Sequence, residues 1–179
     1  IEEKEGMNLI PSFQVDHTDL RPGIYVSRRD GIEGTDAVIT TYDIRMTSPN
    51  REPALAPSAI HTIEHIVATY LRNNEEWKDR IVYWGPMGCL TGNYLIVKGE
   101  YPFEEMRQLM INAFQHVADY DTEVPGTTPS TCGNYLLHDL PMAKWEAKRY
   151  VDRLRNEFCC EYPGIERPKD ASGQVFHDA

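Results

Sequence analysis

A chain of 179 residues, with 41% hydrophobic and 26% charged residues, has the length and composition of one globular domain. Its net charge of -10 and pI near 5.0 argue against nucleic acid and anionic membrane surfaces as partners. No apolar run approaches the roughly 20 residues that a membrane-spanning helix needs, and no signal-peptide pattern is present, so we expect a cytoplasmic protein. In that setting the four cysteines favour metal binding or catalysis over disulfides.

The N-terminal third predicts an arm followed by two strands. Residues 1–10 are largely polar and acidic, which is typical of an arm. Residues 23–28 and 37–46 are predicted strands because apolar and polar side chains alternate there. Arg45 has the opposite parity to the apolar residues of the second strand, so the usual interpretation is an arginine facing solvent. The alternative is an anchor for a carboxylate or a hydroxyl.

The next element is a helix that carries the most informative motif of the chain. Ser58 can cap a helix that follows a proline and runs to about Asn73. Within it, His61, Glu64 and His65 form an H-x-x-E-H pattern. Residues four apart lie on one helix face, so the two imidazoles can bind one metal ion, with the carboxylate beside them as a base. A chance coincidence of two histidines on one turn is the alternative.

A short strand, a glycine-flanked cysteine and another strand follow this helix. The strands are predicted at residues 80–84 and 93–99. In the connection between these strands, Cys89 directly follows Gly88 and precedes Gly92 by three residues. The two glycines let the backbone approach a ligand and leave the thiol unshielded. The alternative interpretation of Cys89 is a small, inert apolar residue.

The C-terminal half predicts two more helices with a polar loop between them. The helices are predicted at residues 103–120 and 142–158, from apolar residues at helical spacing. In the connection, Cys132 is followed by Gly133 and can project freely. Residues 163–179 are polar and predict a loose tail.

This order of elements predicts the fold class. Strand, strand, helix, strand, strand, helix and helix favour an α+β domain, an antiparallel sheet with helices packed on one face. We expect one domain over residues 1–179. A second copy of the chain can cover the other face of the sheet or an edge of the helix layer. Cys159 and Cys160, at the end of the last predicted helix, are interpreted as structural or incidental.

A catalytic metal site follows from the ligand types. The two histidines need a third ligand, for which Cys132 is the candidate, and the fourth position would stay open, as in catalytic sites. Imidazole and thiolate together suit Zn or Fe(II), and the sequence does not separate the two. Cys89 would then be free for proton transfer, and Glu64 could act as a base in a partly desolvated pocket.

Five short blocks stand in a fixed order over most of the chain. They are Ser12-Phe13-x-x-Asp16-His17, Asp43-Ile44-Arg45, His61-x-x-Glu64-His65, Pro86-Met87-Gly88-Cys89-x-Thr91-Gly92 and Cys132-Gly133-Asn134…His138-Asp139-Leu140. Together they resemble the S-ribosylhomocysteine lyase (LuxS) family. Any one block is weak, but five in order, with both thiols, are specific.

The resemblance implies a LuxS/metallopeptidase-like fold and a homodimer with two active sites at the subunit interface. By likeness, His61, His65 and Cys132 bind one ferrous ion per subunit, which Zn or Co can replace. Cys89 and Glu64 are the implied acid/base pair.

The implied reaction is the cleavage of S-ribosylhomocysteine to homocysteine and 4,5-dihydroxy-2,3-pentanedione, the precursor of the quorum-sensing signal autoinducer-2, by carbonyl migration and β-elimination. Ser12, His17 and Arg45 fall on family positions that line the substrate pocket, some of them reaching in from the partner subunit.

The chain departs from the family pattern just before the Cys89 block. It has Tyr83-Trp84-Gly85-Pro86 where Asp-Ile-Ser-Pro is common, and Leu90 where Arg or Gln is common. The acidic residue would suit the amino end of homocysteine, so we expect a rearranged pocket for the substrate tail.

Two other functions fit part of the pattern. An inverzincin-type zinc metallopeptidase also carries H-x-x-E-H, with Glu64 activating a zinc-bound water and Asp139 or Glu146 as third ligand. That interpretation gives Cys89 and Cys132 no role. A metal-storing or metal-sensing dimer is the non-enzyme alternative, which an open coordination position beside a free base disfavours.

Overall fold

The computed structural model describes residues 10–164. A 3-10 turn (Pro11–Phe13) precedes β1 (Gly23–Gly31), β2 (Val38–Arg45), α1 (Pro57–Asn73), β3 (Ile81–Pro86), β4 (Gly92–Lys98), α2 (Phe103–Ala118) and α3 (Leu140–Asn156). The predicted order of strands and helices is confirmed. Of the predicted N-terminal arm and C-terminal tail, only residues 10, 163 and 164 are among those described. No helix in the described part of the chain is long and apolar enough to cross a membrane.

The four strands form one antiparallel sheet in the order β1-β2-β4-β3. The end of β2 is enclosed by two glycines, since Arg45 is opposite Gly23 on β1 and Gly92 on β4. A Cβ atom at Gly92 would lie 2.3 Å from the carbonyl oxygen of Ile44, and one at Gly23 would lie 2.1 Å from that of Cys159. Glycine is therefore required at both positions for the backbones to approach this closely.

One face of the sheet and the three helices share the core. Tyr42 and Ile44 of β2 are fully buried in it, because alternate residues of a strand point to the same face. Phe114 of α2 makes an edge-on ring contact with Tyr150 of α3 at 4.8 Å, and its ring lies 6.0 Å from that of Trp84 on β3. The predicted α+β class, an antiparallel sheet with helices on one face, is confirmed.

The opposite face of the sheet carries an open groove of about 630 Å³. The 3-10 turn, β1, β2, β3 and β4 all contribute to it, with Ser12, Tyr83 and Tyr94 among its lining residues. Large hydrophobic side chains that line it face solvent, since Ile10 is 53% exposed and Tyr83 is 48% exposed. This face is the open side of the two-layer fold.

Several local predictions are wrong for identifiable reasons. Ser58 does not cap α1: the helix begins at Pro57, whose ring fixes a helical φ at the first position, and no side chain caps it. Helix α3 begins at Leu140, two residues earlier than predicted, because the Asp139 carboxylate accepts a hydrogen bond from the Met142 N–H at 3.0 Å. The same helix ends at Asn156 and does not reach the cysteines.

Cys159 instead extends the sheet through its backbone. Its carbonyl accepts a hydrogen bond from the Ile24 N–H at 3.0 Å, and it forms an isolated bridge with Gly23.

Ion pairs connect Glu52, in the segment before α1, to two arginines of α3. Glu52 contacts Arg149 at 2.5 Å and Arg153 on α3, and it accepts a hydrogen bond from the Ser48 N–H at 2.7 Å. Desolvation raises the pKa of Glu52, but the hydrogen bonds from Arg153 and Ser48 and the charges of both arginines outweigh it and lower the pKa to about 2. The folded state therefore favours the ionised carboxylate.

Substituting Glu52→Gln is expected to lower the free energy of unfolding at pH 7 by about 2 kcal/mol. Because the folded-state pKa is depressed, this stabilisation is fully present above the unfolded pKa of 4.5 and is lost as the pH falls through about 2. Urea unfolding of both proteins at pH 7 and pH 3 measures the effect. The difference should be largest at pH 7 and about half as large at pH 3, since pH 3 lies below the unfolded pKa and above the folded one, and an equal difference at both values would contradict it. Glu104→Gln, at an ion pair whose glutamate is 74% exposed, is the control.

Candidate metal centre and active site

Four side chains bring possible ligand atoms within 4.8 Å of one another: His61, His65, Cys132 and His138. His61 and His65 lie one turn apart on α1, with ring centroids 4.7 Å apart and planes at 89°. Cys132, from the loop between α2 and α3, has its Sγ 3.5 Å from His61 Nε2. The structure thus brings together all three residues that the sequence proposed as ligands.

Backbone carbonyls behind the two α1 histidines set their tautomers. His61 Nδ1 lies 2.7 Å from the Leu137 carbonyl oxygen, and His65 Nδ1 lies 2.8 Å from that of Pro125. A carbonyl only accepts, so each Nδ1–H donates and each Nε2 keeps a lone pair toward the cluster. Metal-ligating imidazoles usually donate their other ring N–H to a carbonyl or carboxylate in this way.

The α2–α3 loop is shaped to reach α1. Gly126 adopts a φ of +73° next to His65, and a Cβ atom there would lie 3.2 Å from His65 Nδ1. Further along, the Cys132 N–H donates to the Thr128 carbonyl at 3.1 Å, which closes the turn that projects the thiol. The Asn134 N–H donates to Cys132 Sγ at 3.4 Å, which helps to orient the sulfur.

The donor set fits a divalent transition metal. Imidazole nitrogens with Nε2 lone pairs and one thiol are ligands that Zn and Fe(II) accept together. The residues present therefore fit a divalent ion of the kind that the sequence predicts, which His61, His65 and Cys132 would hold.

Substituting Cys132→Ala is expected to weaken metal binding by at least about 100-fold, since loss of a direct ligand should exceed the 10- to 100-fold typical of outer-shell changes. Elemental analysis of protein dialysed against a competing chelator measures the effect. Cys160→Ala is the matched control, because that thiol lies outside the cluster among the described residues. Equal metal retention by both variants would contradict the assignment of Cys132.

A second group of polar residues surrounds the other candidate thiol. Arg45 is only 4% exposed, so the prediction that it faces solvent is wrong and the alternative, an anchor for a carboxylate, is correct. Its guanidinium binds both oxygens of Asp43, at 3.0 and 2.6 Å, and donates to Thr91 Oγ1 at 2.7 Å. The same guanidinium lies 3.8 Å from Cys89 Sγ.

The charge of Arg45 is fixed by its partner. Burial lowers its pKa, but the charge and hydrogen bonds of Asp43 outweigh this and raise the pKa above the ordinary value. Cys89 is exposed, and its Sγ lies 3.0 Å from Thr91 Oγ1. Cys89 therefore presents an accessible thiol beside a permanent cation.

A matching family model decides the chain's affiliation. The model described as S-Ribosylhomocysteinase (LuxS) matches residues 10–158. This chain belongs to the S-ribosylhomocysteine lyase (LuxS) family. The family and the enzyme class that the five blocks predicted are thereby confirmed.

Curated relatives agree with the family model. An S-ribosylhomocysteine lyase of Phocaeicola vulgatus is 61% identical over 148 residues, which are 83% of this chain and 91% of the relative. One of Porphyromonas gingivalis is 58% identical over 145 residues, 81% and 90% of the two chains. One of Borreliella burgdorferi is 49% identical over 150 residues, 84% and 94%.

The residues that the LuxS resemblance assigned to substrate binding lie together. Ser12 and His17, from the segment before β1, line a small cavity of about 20 Å³ with Arg45. Tyr162 closes the same cavity from the C-terminal side. Its ring stacks on Tyr25 at 4.6 Å, and its hydroxyl donates to an Asp43 carboxylate oxygen at 2.9 Å.

Glu64 lies apart from these hydrogen-bonded groups. It is half-buried on α1 next to His65. Among residues 10–164 its carboxylate has neither a hydrogen bond nor an ion pair. The metal ligands and the Cys89–Arg45 group likewise share no hydrogen bond, ion pair or ring contact within this part of the chain.

The departures from the LuxS pattern fall in two different places. Tyr83, at the position where the family commonly has an acid, lines the open groove. Trp84 is a core residue, 5% exposed. Leu90 adopts a φ of 60° in the turn after Cys89 and packs against the core. Only Tyr83 therefore presents a changed side chain to the open face.

Sequence reasoning missed two residues near these groups. His138 follows Cys132 by six residues, a spacing that corresponds to no local rule, although it stood in one of the five blocks. Burial, followed by the charges of His61 and His65, lowers the pKa of His138 to about 4, so it is neutral at pH 7. Tyr162 lies beyond the end of the family match and directly before the predicted tail.

Proposed function

We propose that this chain cleaves S-ribosylhomocysteine to homocysteine and 4,5-dihydroxy-2,3-pentanedione, the autoinducer-2 precursor, as a homodimer with one divalent ion per subunit. The working ion is Fe(II), which Zn or Co can replace. The observation that supports this most is the pairing of two sites within one LuxS match: a His61, His65 and Cys132 ligand set, and a Cys89 thiol beside the buried Arg45 cation.

The substrate requires proton transfers before its C–S bond can break. The carbonyl is at C1 of the sugar, whereas the sulfur is on C5, so the leaving group is not activated at the start. A divalent ion at the cluster supplies Lewis acidity, which makes the C–H next to the carbonyl acidic. Cys89 removes the proton from C2 and returns one to C1, which moves the carbonyl to C2. The same exchange between C3 and C2 moves it to C3.

Glu64 then acts as the base that starts the elimination. With the ketone at C3, the carboxylate removes the C4 proton, the electron pair forms the C4–C5 double bond, and the homocysteine thiolate leaves from C5. Protonation of C5 converts the resulting enol to the diketone. Atoms balance without water, hydride or nicotinamide. Arg45 stays charged throughout, with its guanidinium 3.8 Å from Cys89 Sγ.

The proposed dimer joins the two groups across the subunit interface. In one chain, Ser12, His17, Arg45 and Cys89 form one contiguous group on or near the open face of the sheet. This group lacks any direct contact with the metal ligands in residues 10–164. The exposed apolar side chains by the open groove suit a second copy. We infer that the thiol group of one copy completes the metal group of the other.

We place the domain, residues 1–179, in the cytoplasm. Cys89 and Cys132 must both remain reduced for these roles, which a reducing compartment provides.

The peptidase alternative requires an acidic third ligand, and the described part of the chain offers none at the cluster. The Asp139 carboxylate is engaged as the N-cap of α3, and Glu146 pairs with Arg149 at 3.5 Å. The metal cluster also includes a thiol that a peptidase would not use.

Thiol release from S-ribosylhomocysteine by anaerobically prepared, iron-loaded protein tests the proposal. We expect free homocysteine with this substrate and none with S-adenosylhomocysteine, in which C1 of the sugar is bonded to a base and is not a free carbonyl carbon. If the protein releases no thiol and its zinc-loaded form hydrolyses peptides, the lyase proposal is wrong and the peptidase alternative is correct.

A further inference from the structure

His138 has one ring nitrogen that the fold leaves without a partner. Its Nε2 is fully buried, and no hydrogen-bond partner exists for it among residues 10–164. The ring lies inside the metal cluster, with its centroid 4.1 Å from that of His61 and 4.8 Å from that of His65. A buried polar atom without a partner is costly unless a ligand or water satisfies it.

The protonation of His138 follows from the residue behind it. The Thr62 hydroxyl has one proton, which it donates to the Ser58 carbonyl at 2.9 Å. Its oxygen accepts a hydrogen bond from the Asp139 N–H at 3.0 Å. With the Thr62 proton on the Ser58 carbonyl, we assign a proton to His138 Nδ1, which lies 3.0 Å from the same hydroxyl oxygen and donates to it. Its Nε2 therefore carries a lone pair directed into the cluster.

The orientation of the ring argues against a fourth metal ligand. His61 and His138 are stacked, with centroids 4.1 Å apart and planes only 22° apart, so an ion in the plane of the His61 ring lies out of the plane of the His138 ring. His61 and His65, at 89°, are not constrained in this way. The lone pair of His138 is consequently available to a molecule that enters the centre.

We propose that His138 Nε2 accepts a hydrogen bond from a sugar hydroxyl of the substrate at the metal centre. His138 is thus a substrate-binding residue additional to Ser12, His17 and Arg45, and Thr62 fixes its tautomer. The class of ligand it selects is a polyhydroxylated carbon chain, since a hydroxyl can donate to this acceptor and a ketone or ether cannot. The inference rests on the proposed lyase function.

Two substitutions separate this role from the alternatives. In His138→Asn, an amide N–H can still donate to Thr62, but no atom replaces Nε2. In His138→Gln, the longer side chain can place an amide oxygen near the Nε2 position. We expect kcat/KM for thiol release to fall about 10- to 100-fold in the Asn variant, as for a buried hydroxyl left unpaired, and to recover in part in the Gln variant.

The second readout is the absorption spectrum of the cobalt-loaded protein without substrate, together with its cobalt content. Both should equal those of the wild type in both variants, because His138 is not a ligand. A changed spectrum or lost cobalt would make His138 a ligand and overturn the inference. Wild-type kinetics in the Asn variant, or an equal loss in both variants, would reduce His138 to a structural residue. Failure of the proposed function is distinct, since the wild type itself would then release no thiol.

Discussion

Cys89→Ala is expected to lower homocysteine release by at least about 10³-fold while the protein keeps its metal, because proton transfer by a positioned group contributes roughly 10²- to 10⁴-fold and two successive transfers depend on this thiol. The substitution removes the sulfur 3.8 Å from Arg45 but touches none of the clustered ligands. Steady-state thiol release and metal analysis of the same samples measure both effects.

The control for this prediction is Cys160→Ala, which removes another thiol outside both groups and should be fully active. Glu64→Gln gives a complementary result. It should also stop thiol release, yet it should still allow the carbonyl to migrate, so ketone isomers of the substrate should accumulate and be visible by NMR of 13C-labelled sugar. Normal turnover of Cys89→Ala, or accumulation of the same isomers by that variant, would refute the role of the thiol.

Mixing two inactive variants is expected to restore activity. If the Cys89 group of one copy completes the metal group of its partner, a dimer of Cys89→Ala and Cys132→Ala chains contains one site with both defects and one site with neither. Random exchange makes half of the dimers mixed, so thiol release should recover to about a quarter of the wild-type level. The assay needs only the two purified proteins, unfolded together, refolded and loaded with metal.

The outcome of mixing distinguishes the two possible assemblies. When both groups act within one chain, every site in the mixed dimer has one defect and no activity returns. As a control, Cys89→Ala mixed with Glu64→Gln should also recover in the proposed dimer, whereas His61→Ala mixed with Cys132→Ala should not, because both of those residues belong to the metal group. If the mixture of Cys89→Ala and Cys132→Ala stays inactive although mixed dimers have formed, the proposal that two chains share each active site is contradicted.

The metal helix was predictable because its information is local. The spacing of His61 and His65 and the apolar stripe of α1 depend only on helical periodicity, and the structure places both histidines in the cluster. The contribution of Cys132 came from residue chemistry and from the LuxS pattern. His138 was missed because stacking on His61 depends on how the α2–α3 loop folds back onto α1, which no spacing rule encodes.

Arg45 shows where a strand pattern stops being informative. Its parity correctly assigned it to the face away from the helices, but parity does not say what covers that face. Here Asp43 on the same strand pairs with it, and Tyr162, distant in sequence, packs beside them. Burial by a distant segment is a tertiary effect, so local reasoning gave the wrong environment. The N-cap at Ser58 failed for a simpler reason, since Pro57 begins the helix without needing a side-chain cap.

The most direct test of the account is the stoichiometry of the products from S-ribosylhomocysteine. Anaerobic, iron-loaded wild-type protein should release homocysteine thiol and a 1,2-dicarbonyl, trapped as its quinoxaline with an aromatic 1,2-diamine, in equal amounts. Equal amounts would establish carbonyl migration followed by elimination. Thiol without dicarbonyl would mean that the C–S bond breaks by another route, and neither product from the metal-loaded protein would contradict the proposed activity altogether.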